Sequence, residues 1–243
     1  MNALIQELRD HDIHVLISDE QVMLEAFQDA PKETFKVDYL IIELFSIARI
    51  YGYKRVTLEC TNQLLNQLNK TREKMSIVGE RVMYTYQMSN EMTVSKVDYE
   101  VWLPFEDRSI KLLSKIMGVD DDESKNFLQS MRVELPCQFH KMFTVYIVDG
   151  IPVRIVLPHI EPNTNQEGRM FWIGIHPNYK GVGYGALLHK LGLYRLQMDF
   201  HAKTYLGITT IKNKPMRNIM LSNGCNQLNN TLVSLEYRLK TEM

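Results

Sequence analysis

One stretch constrains this chain more than any other. An apolar run ending at Ile175 passes through His176, Pro177, Asn178, Tyr179 and Lys180 into Gly181, Val182, Gly183, Tyr184 and Gly185. Ala186, Leu187 and Leu188 follow on a helical pattern. Alternating glycines at a strand-to-helix turn let backbone N–H groups crowd inward, and the helix N-terminus adds partial positive charge. A phosphate or pyrophosphate is the expected guest; the plain alternative is a tight turn with no ligand. A Walker loop is excluded, because no Gly-Lys-Ser/Thr follows. Gly181, Gly183 and Ala186 formally satisfy G-x-G-x-x-A. In the dinucleotide motif, however, the first glycine comes directly off the strand, whereas here Pro177 breaks the ladder first. The next strand also ends in Thr209 and Thr210, where that motif needs an acid.

The elements around this turn follow from periodicity. Apolar alternation predicts strands over 97–103, 143–148, 152–158, 170–175, 204–210 and 232–239. Helical spacing predicts helices over 107–117, from 120 onward, 186–198 and 215–221, with Gly118 a stop signal. Asp149 and Gly150 mark a hairpin. Before position 92, a strand is expected over 13–17, a helix over 37–51, a strand over 55–59, a helix over 62–75 and a strand over 82–87. Helix–strand–helix–Gly–strand in 37–88 parallels the same order in 186–239, so a degenerate internal duplication competes with a generic α/β extension.

The polar stretch 87–91 is the expected seam, giving units 1–92 and 93–243. The first carries 10 Lys/Arg against 14 Asp/Glu, the second 18 against 15. The chain's near-neutral balance argues against a dedicated nucleic-acid binder. No window has the ~18 apolar residues of a membrane span, and the first residues do not read as a signal peptide. Cys60, Cys137 and Cys225 form neither a disulfide framework nor a zinc pattern, so a cytoplasmic setting is expected. His11 and His14 read as a surface pair, and no metal is expected.

The run from Ile175 to Gly185 resembles the acyl-CoA motif [RQ]-x-x-G-x-[GA] of the GNAT N-acetyltransferase superfamily. Lys180 takes the Arg/Gln position, and Gly183 and Gly185 match. Asn213, Met216 and Gly224 resemble a second motif of the family, and the order of elements in 93–243 fits one domain. The resemblance implies an α/β (α+β) fold with a mixed central sheet flanked by helices, preceded by a smaller unit, 1–92, resembling half of the same fold. It implies an acyl-CoA-dependent N-acyltransferase, acetyl-CoA as co-substrate, and a small-molecule or protein amine as acceptor. No nucleic acid or membrane is expected as partner, and a homodimer is one expected assembly. A lapsed CoA-binding or interaction module is the alternative.

The same resemblance implies roles. Ile173 and Ile175 pair with the pantetheine arm; Lys180, Gly181, Val182, Gly183, Tyr184, Gly185 and Ala186 form the pyrophosphate turn; Asn213 faces the arm or the adjacent strand. Glu167 and His176 are the candidates for taking the amine's proton, with His159 and Glu161 behind them. The family's usual acid is a Tyr seven positions after the Asn. Met220 stands there, and a thioether cannot donate a proton, so Met220→Tyr is expected to raise kcat. The acidic run 120–123 is either a solvated helix start or an attractor of a cationic amine.

Overall fold

The structure is a computed structural model and describes residues 1–18, 20–29, 31, 33–88, 98–181 and 183–239. Part of the expected seam (89–91), Val97 and Val182 lie outside these residues. In chain order the elements are α1 (Asn2–Asp10), β1 (His14–Ile17), β2 (Gln21–Ala26), α2 (Thr34–Ile50), β3 (Arg55–Thr61), α3 (Asn62–Leu65), α4 (Asn69–Lys74) and β4 (Ser76–Gln87). There follow β5 (Tyr99–Val101), α5 (Asp107–Met117), α6 (Asp121–Glu134), α7 (Phe139–Met142), β6 (Thr144–Val148), β7 (Ile151–Ile160) and β8 (Glu167–Ile175). The chain ends in α8 (Tyr184–Met198), β9 (Thr204–Thr210), α9 (Lys214–Ser222) and β10 (Asn226–Arg238).

Two compact units result: 1–83 with 228–243, and 84–227. They do not follow a boundary at 92, because β4 and β10 each run from one unit into the other. Val233, Leu235 and Leu239 are buried with Leu24, Leu44, Phe45 and Leu58 in the core of the first unit. Residues 232–238 of β10 pair antiparallel with β3 along its whole length. The final strand thus completes the core of the chain's first residues.

Within the first unit β1 and β2 are antiparallel, β2 and β3 parallel. Within the second, β7 and β8 are antiparallel, β8 and β9 parallel. The connecting helices α2 and α8 hold the same place in the two successions, so both units are mixed sheets flanked by helices. They differ at one point. Residues Gln21 to Ala26 of β2 each pair with a residue of β3, from Arg55 to Cys60. Pairing of β8 with β9 is confined to Glu167↔Thr204 and Gly168↔Tyr205.

The sheet of the second unit is covered on both faces. Ile110, Leu113 and Ile116 of α5, with Leu128 and Met131 of α6, pack on Val145, Ile155 and Leu157. Leu188 and Leu191 of α8 pack on Val153 and Val156 opposite. Each such side chain, fully buried, contributes roughly 1.5–3 kcal/mol. Asp149 (φ 50°) and Gly150 (φ 76°) form the tight β6–β7 hairpin, with positive φ at both positions as a two-residue turn requires. The expected helix over 62–75 is broken into α3 and α4, and β4 starts earlier than periodicity suggested, running through Gly79. α1, β2 and α7 were not expected.

Candidate functional site

The site lies within the second unit and begins with a bulge. Val156 pairs with Ile173 and Pro158 with Met170, so Leu157 alone faces both Phe171 and Trp172. The extra residue in β8 turns two successive side chains toward α5 and α6: Phe127 of α6 meets Phe171 edge-on at 5.5 Å and Trp172 at 6.2 Å. Met170 and Ile173 pack instead on the α8 side. Bulges bend a strand and end its regular pairing, and here β8 parts from β9 just before the bulge. Strand β8 has neighbours on both edges, yet residues 169–175 are all partly exposed. An interior strand open to solvent along one edge offers unpaired backbone donors and acceptors to a ligand.

The opened strand leads directly into the glycine turn. His176 N–H donates to Val153 O at 2.9 Å, and Pro177–Tyr179 form one 3-10 turn. Gly181 (φ 83°) and Gly183 (φ 77°) occupy the left-handed region, which costs a Cβ-bearing residue roughly 1–2 kcal/mol. Gly183 caps α8 without any side-chain hydrogen bond to the first turn, leaving those amides for a ligand. A Cβ on Gly185 would lie 2.6 Å from Ile219 Cδ1, so this glycine sets the close approach of α8 to α9. Tyr184 and Ala186 are partly buried around the turn, and Lys180 is exposed beside it.

Arg154 lies under the same turn. Strand β7 places it opposite Ile175, and its guanidinium is packed between the rings of Tyr146 (4.2 Å) and Tyr184 (3.7 Å). It is fully buried, and Nε, Nη1 and Nη2 find no hydrogen-bond acceptor. Burial lowers its pKa, partly offset by the neighbouring Tyr146 hydroxyl. A buried cation without a counter-charge is costly, and this one sits at a helix N-terminus, where an anion would be drawn.

The sequence-derived candidates fall as follows. Ile173 and Ile175 lie on the opened part of β8. Asn213 is committed locally: its Oδ1 accepts from Met216 N at 3.2 Å, capping α9, and its Nδ2 donates to Thr209 Oγ1 at 3.1 Å. Glu167, at the start of β8, accepts from Arg169 Nε at 2.7 Å. His176 is at the other end of that strand, where its Nδ1 accepts from Asn178 N at 3.3 Å. About eight residues of extended chain, roughly 3.3 Å each, separate the two, so one reacting centre cannot use both. Asp120 caps α6, Asp121 accepts from Ser114 Oγ, and Asp122 pairs with Lys125. His11 faces Glu33 at 3.6 Å and His14 faces Glu25 at 3.3 Å.

Met220 lies in a polar chain that sequence alone does not reveal. Asn223 Nδ2 donates to Ala186 O (2.8 Å) and to His189 Nδ1 (3.0 Å). The proton of His189 is therefore on Nε2, which faces the Tyr205 hydroxyl at 3.1 Å. That hydroxyl points on to Met220 Sδ at 3.9 Å. Burial lowers the His189 pKa to about 4 and raises those of Tyr205 and Cys225, the last to about 12. Met220 is 1% exposed, with its sulfur 2.8 Å from where a Gly207 Cβ would be. A tyrosine ring does not fit there without displacing Tyr205, so the expected gain from Met220→Tyr has no structural basis.

A fold with a bulged, splayed β8 feeding a glycine turn is that of the GNAT acetyltransferases. A GCN5-related N-acetyltransferase from Kribbella flavida superposes with a TM-score of 0.64 at 13% identity, over 97% of this chain and 93% of that one. A tandem GNAT protein of the clavulanic acid biosynthesis pathway gives 0.64 at 10%, over 95% and 79%. A GCN5-related N-acetyltransferase from Sphaerobacter thermophilus gives 0.60 at 11%, over 95% and 77%. No family model matches the sequence, and no curated protein is significantly similar to it. At these identities the likeness establishes the fold. No helix among the described residues is long and apolar enough to cross a membrane.

Proposed function

We propose that this chain is an acyl-CoA-dependent N-acyltransferase, acetyl-CoA being the donor and a primary amine the acceptor. The observation that carries it is the two-pair contact of β8 with β9, which leaves an open strand edge running into an uncapped, glycine-lined helix start. An extended amide-bearing arm suits the edge at Ile173 and Ile175, and a pyrophosphate suits the amides from Gly181 to Ala186. The orphaned Arg154 guanidinium beneath Tyr184 fits the same polyanion. In the first unit, where β2 and β3 pair throughout, the edge such an arm needs is closed.

The bound thioester supplies the activated acyl group. A backbone N–H at the bulge, freed from the ladder, is suited to hold the oxyanion of the tetrahedral intermediate. The amine must be neutral to attack, and with an ordinary pKa near ~10 it needs a proton acceptor. Glu167 and His176 remain the sequence-derived candidates for that task.

Thermal shift with CoA, acetyl-CoA and NAD tests the donor. A ligand at 100 times its Kd stabilises by about 2.7 kcal/mol, roughly 5–10 °C at this size. A shift with NAD and none with CoA refutes the proposal. The buried, hydrogen-bonded Met220 where an acid would be expected favours a second reading, a CoA-binding module without turnover. A CoA shift with no thiol release across an amine panel would select it.

A further inference from the structure

Strand β7 ends in a polar cluster buried beside the bulge. His159 pairs across the ladder with Arg169, the first residue of β8 beyond its contact with β9. Its side chain is 5% exposed, and its ring meets that of Phe171 edge-on at 6.0 Å. His159 Nε2 lies 3.3 Å from Glu161 Oε2. Arg169 Nη1 is 3.4 Å from the same carboxylate, and its Nε donates to Glu167. The segment is pinned. Gln138 Nε2 donates to Ile160 O and its Oε1 accepts from Ile160 N. Thr164 Oγ1 donates to Glu161 O and accepts from Glu167 N.

This arrangement decides a tautomer. An ionised Glu161 can only accept, so the proton of a neutral His159 sits on Nε2. Nδ1 then carries a bare lone pair, and it is buried with no hydrogen-bond partner. Buried polar atoms without partners are rare and call for a cause. An imidazole oriented by a carboxylate, with its other nitrogen free, is a general base.

We propose that His159 is the proton acceptor for the attacking amine, directly or through one bridging water, with Glu161 as its positioning residue. This rests on the acyl-transfer assignment above and deepens it. The amine nitrogen forms its bond to the thioester carbonyl carbon, and the C–S bond breaks with its electron pair going to sulfur. The proton lost by nitrogen passes to Nδ1; the thiolate takes a proton from water, and His159 returns its own to solvent. Phe127, Phe171 and Trp172 beside the bulge suit an amine with an apolar or aromatic body, and phenethylamine is the first probe.

The test uses the full chain. Thiol release from acetyl-CoA is followed with phenethylamine and a panel of other primary amines, while calorimetry reads CoA affinity separately. H159Q is expected to lower kcat at least 100-fold with CoA affinity within twofold of wild type. H159A should regain part of the loss with added imidazole, whereas a structural defect would not respond. E161Q should lower kcat with little change in KM. Unchanged turnover in H159Q, with CoA still bound, overturns the base assignment and leaves acyl transfer standing. A wild-type chain that binds no CoA, or binds it and acylates no amine, overturns both. Should the variants fail to fold, nitrogen-15 histidine spectra of the wild type decide: a proton on Nε2 of His159 is expected, and one on Nδ1 refutes the proposal.

Discussion

Gly174→Ala probes the geometry of the bulge most sharply. The backbone there is ordinary for β structure, so the cost comes from space alone. A methyl at this position would lie 2.1 Å from Trp172 Cη2, 2.6 Å from Cζ3 and 2.7 Å from Ile116 Cγ2, where ordinary contact begins at 3.4 Å. None of these is the loose end of a long side chain. The indole is wedged between β8 and α5, and Ile116 is a buried residue of α5. Relief requires the ring to move by more than an ångström, with an overpacking cost of about 2 kcal/mol. That is roughly 4–8 °C in melting temperature for a chain of this size. Circular dichroism melts read the stability. Trp172 emission, isolated in a Trp102→Phe background, reads the displacement. CoA affinity should fall in parallel, because the displaced ring belongs to the opened strand. A variant melting within about 1 °C of its parent, with unchanged emission, would show that Trp172 does not lie over Gly174 and that the bulge is misassigned.

Three further outcomes are expected. Gly183→Ala places a Cβ in open space but at φ 77°, so roughly 1–2 kcal/mol of strain should loosen the turn and weaken CoA binding about tenfold; equal affinity in calorimetry would deny the turn its role. Arg154→Met removes a buried cation with three unpaired nitrogens, so the ligand-free chain should melt at the same or a higher temperature while CoA affinity drops; a large loss of stability without ligand would mean the cation is already compensated. His189 is held neutral with a pKa of about 4 against 6.5. The unfolded chain therefore binds the proton more readily, and stability falls as pH drops from about 6.5 toward 4, by up to about 3 kcal/mol. His189→Gln should flatten that acid limb in denaturant titrations at successive pH values, and an unchanged limb would contradict the buried neutral imidazole.

The glycine turn, the β6–β7 hairpin, α5 and β9 were legible because local chemistry dictates each of them. Gly181 and Gly183 can take positive φ without steric cost, which a tight strand-to-helix turn demands, and Asp149 with Gly150 can hardly do other than reverse the chain. What escaped depends on pairing between distant segments. Nothing in the alternation of 167–175 announces that one extra residue faces Leu157, since both Phe171 and Trp172 are good β-formers on either face. The ending of the β8–β9 ladder at Gly168 is equally silent. Arg154 offered a signal, a cation inside an otherwise apolar strand, but its lack of a partner is a property of three dimensions. His159 and Glu161 were visible as strand-end residues; what raises them is a hydrogen bond that fixes which nitrogen is bare. Asn213 shows the reverse case, a motif residue whose polar groups are spent on capping α9.

The course of β10 has a consequence for how this protein is made. Strand β3 receives its antiparallel neighbour only after all of 84–227 has been synthesised, and Val233, Leu235 and Leu239 are missing from the first core until then. The emerging chain must carry an open edge on β3, able to pair with strands of another chain, while residues 84–227 are still being translated. The core around β3 is thus among the last parts of the described chain to reach its final packing. A pause or truncation anywhere before residue 228 leaves not a smaller folded protein but one with an adhesive edge.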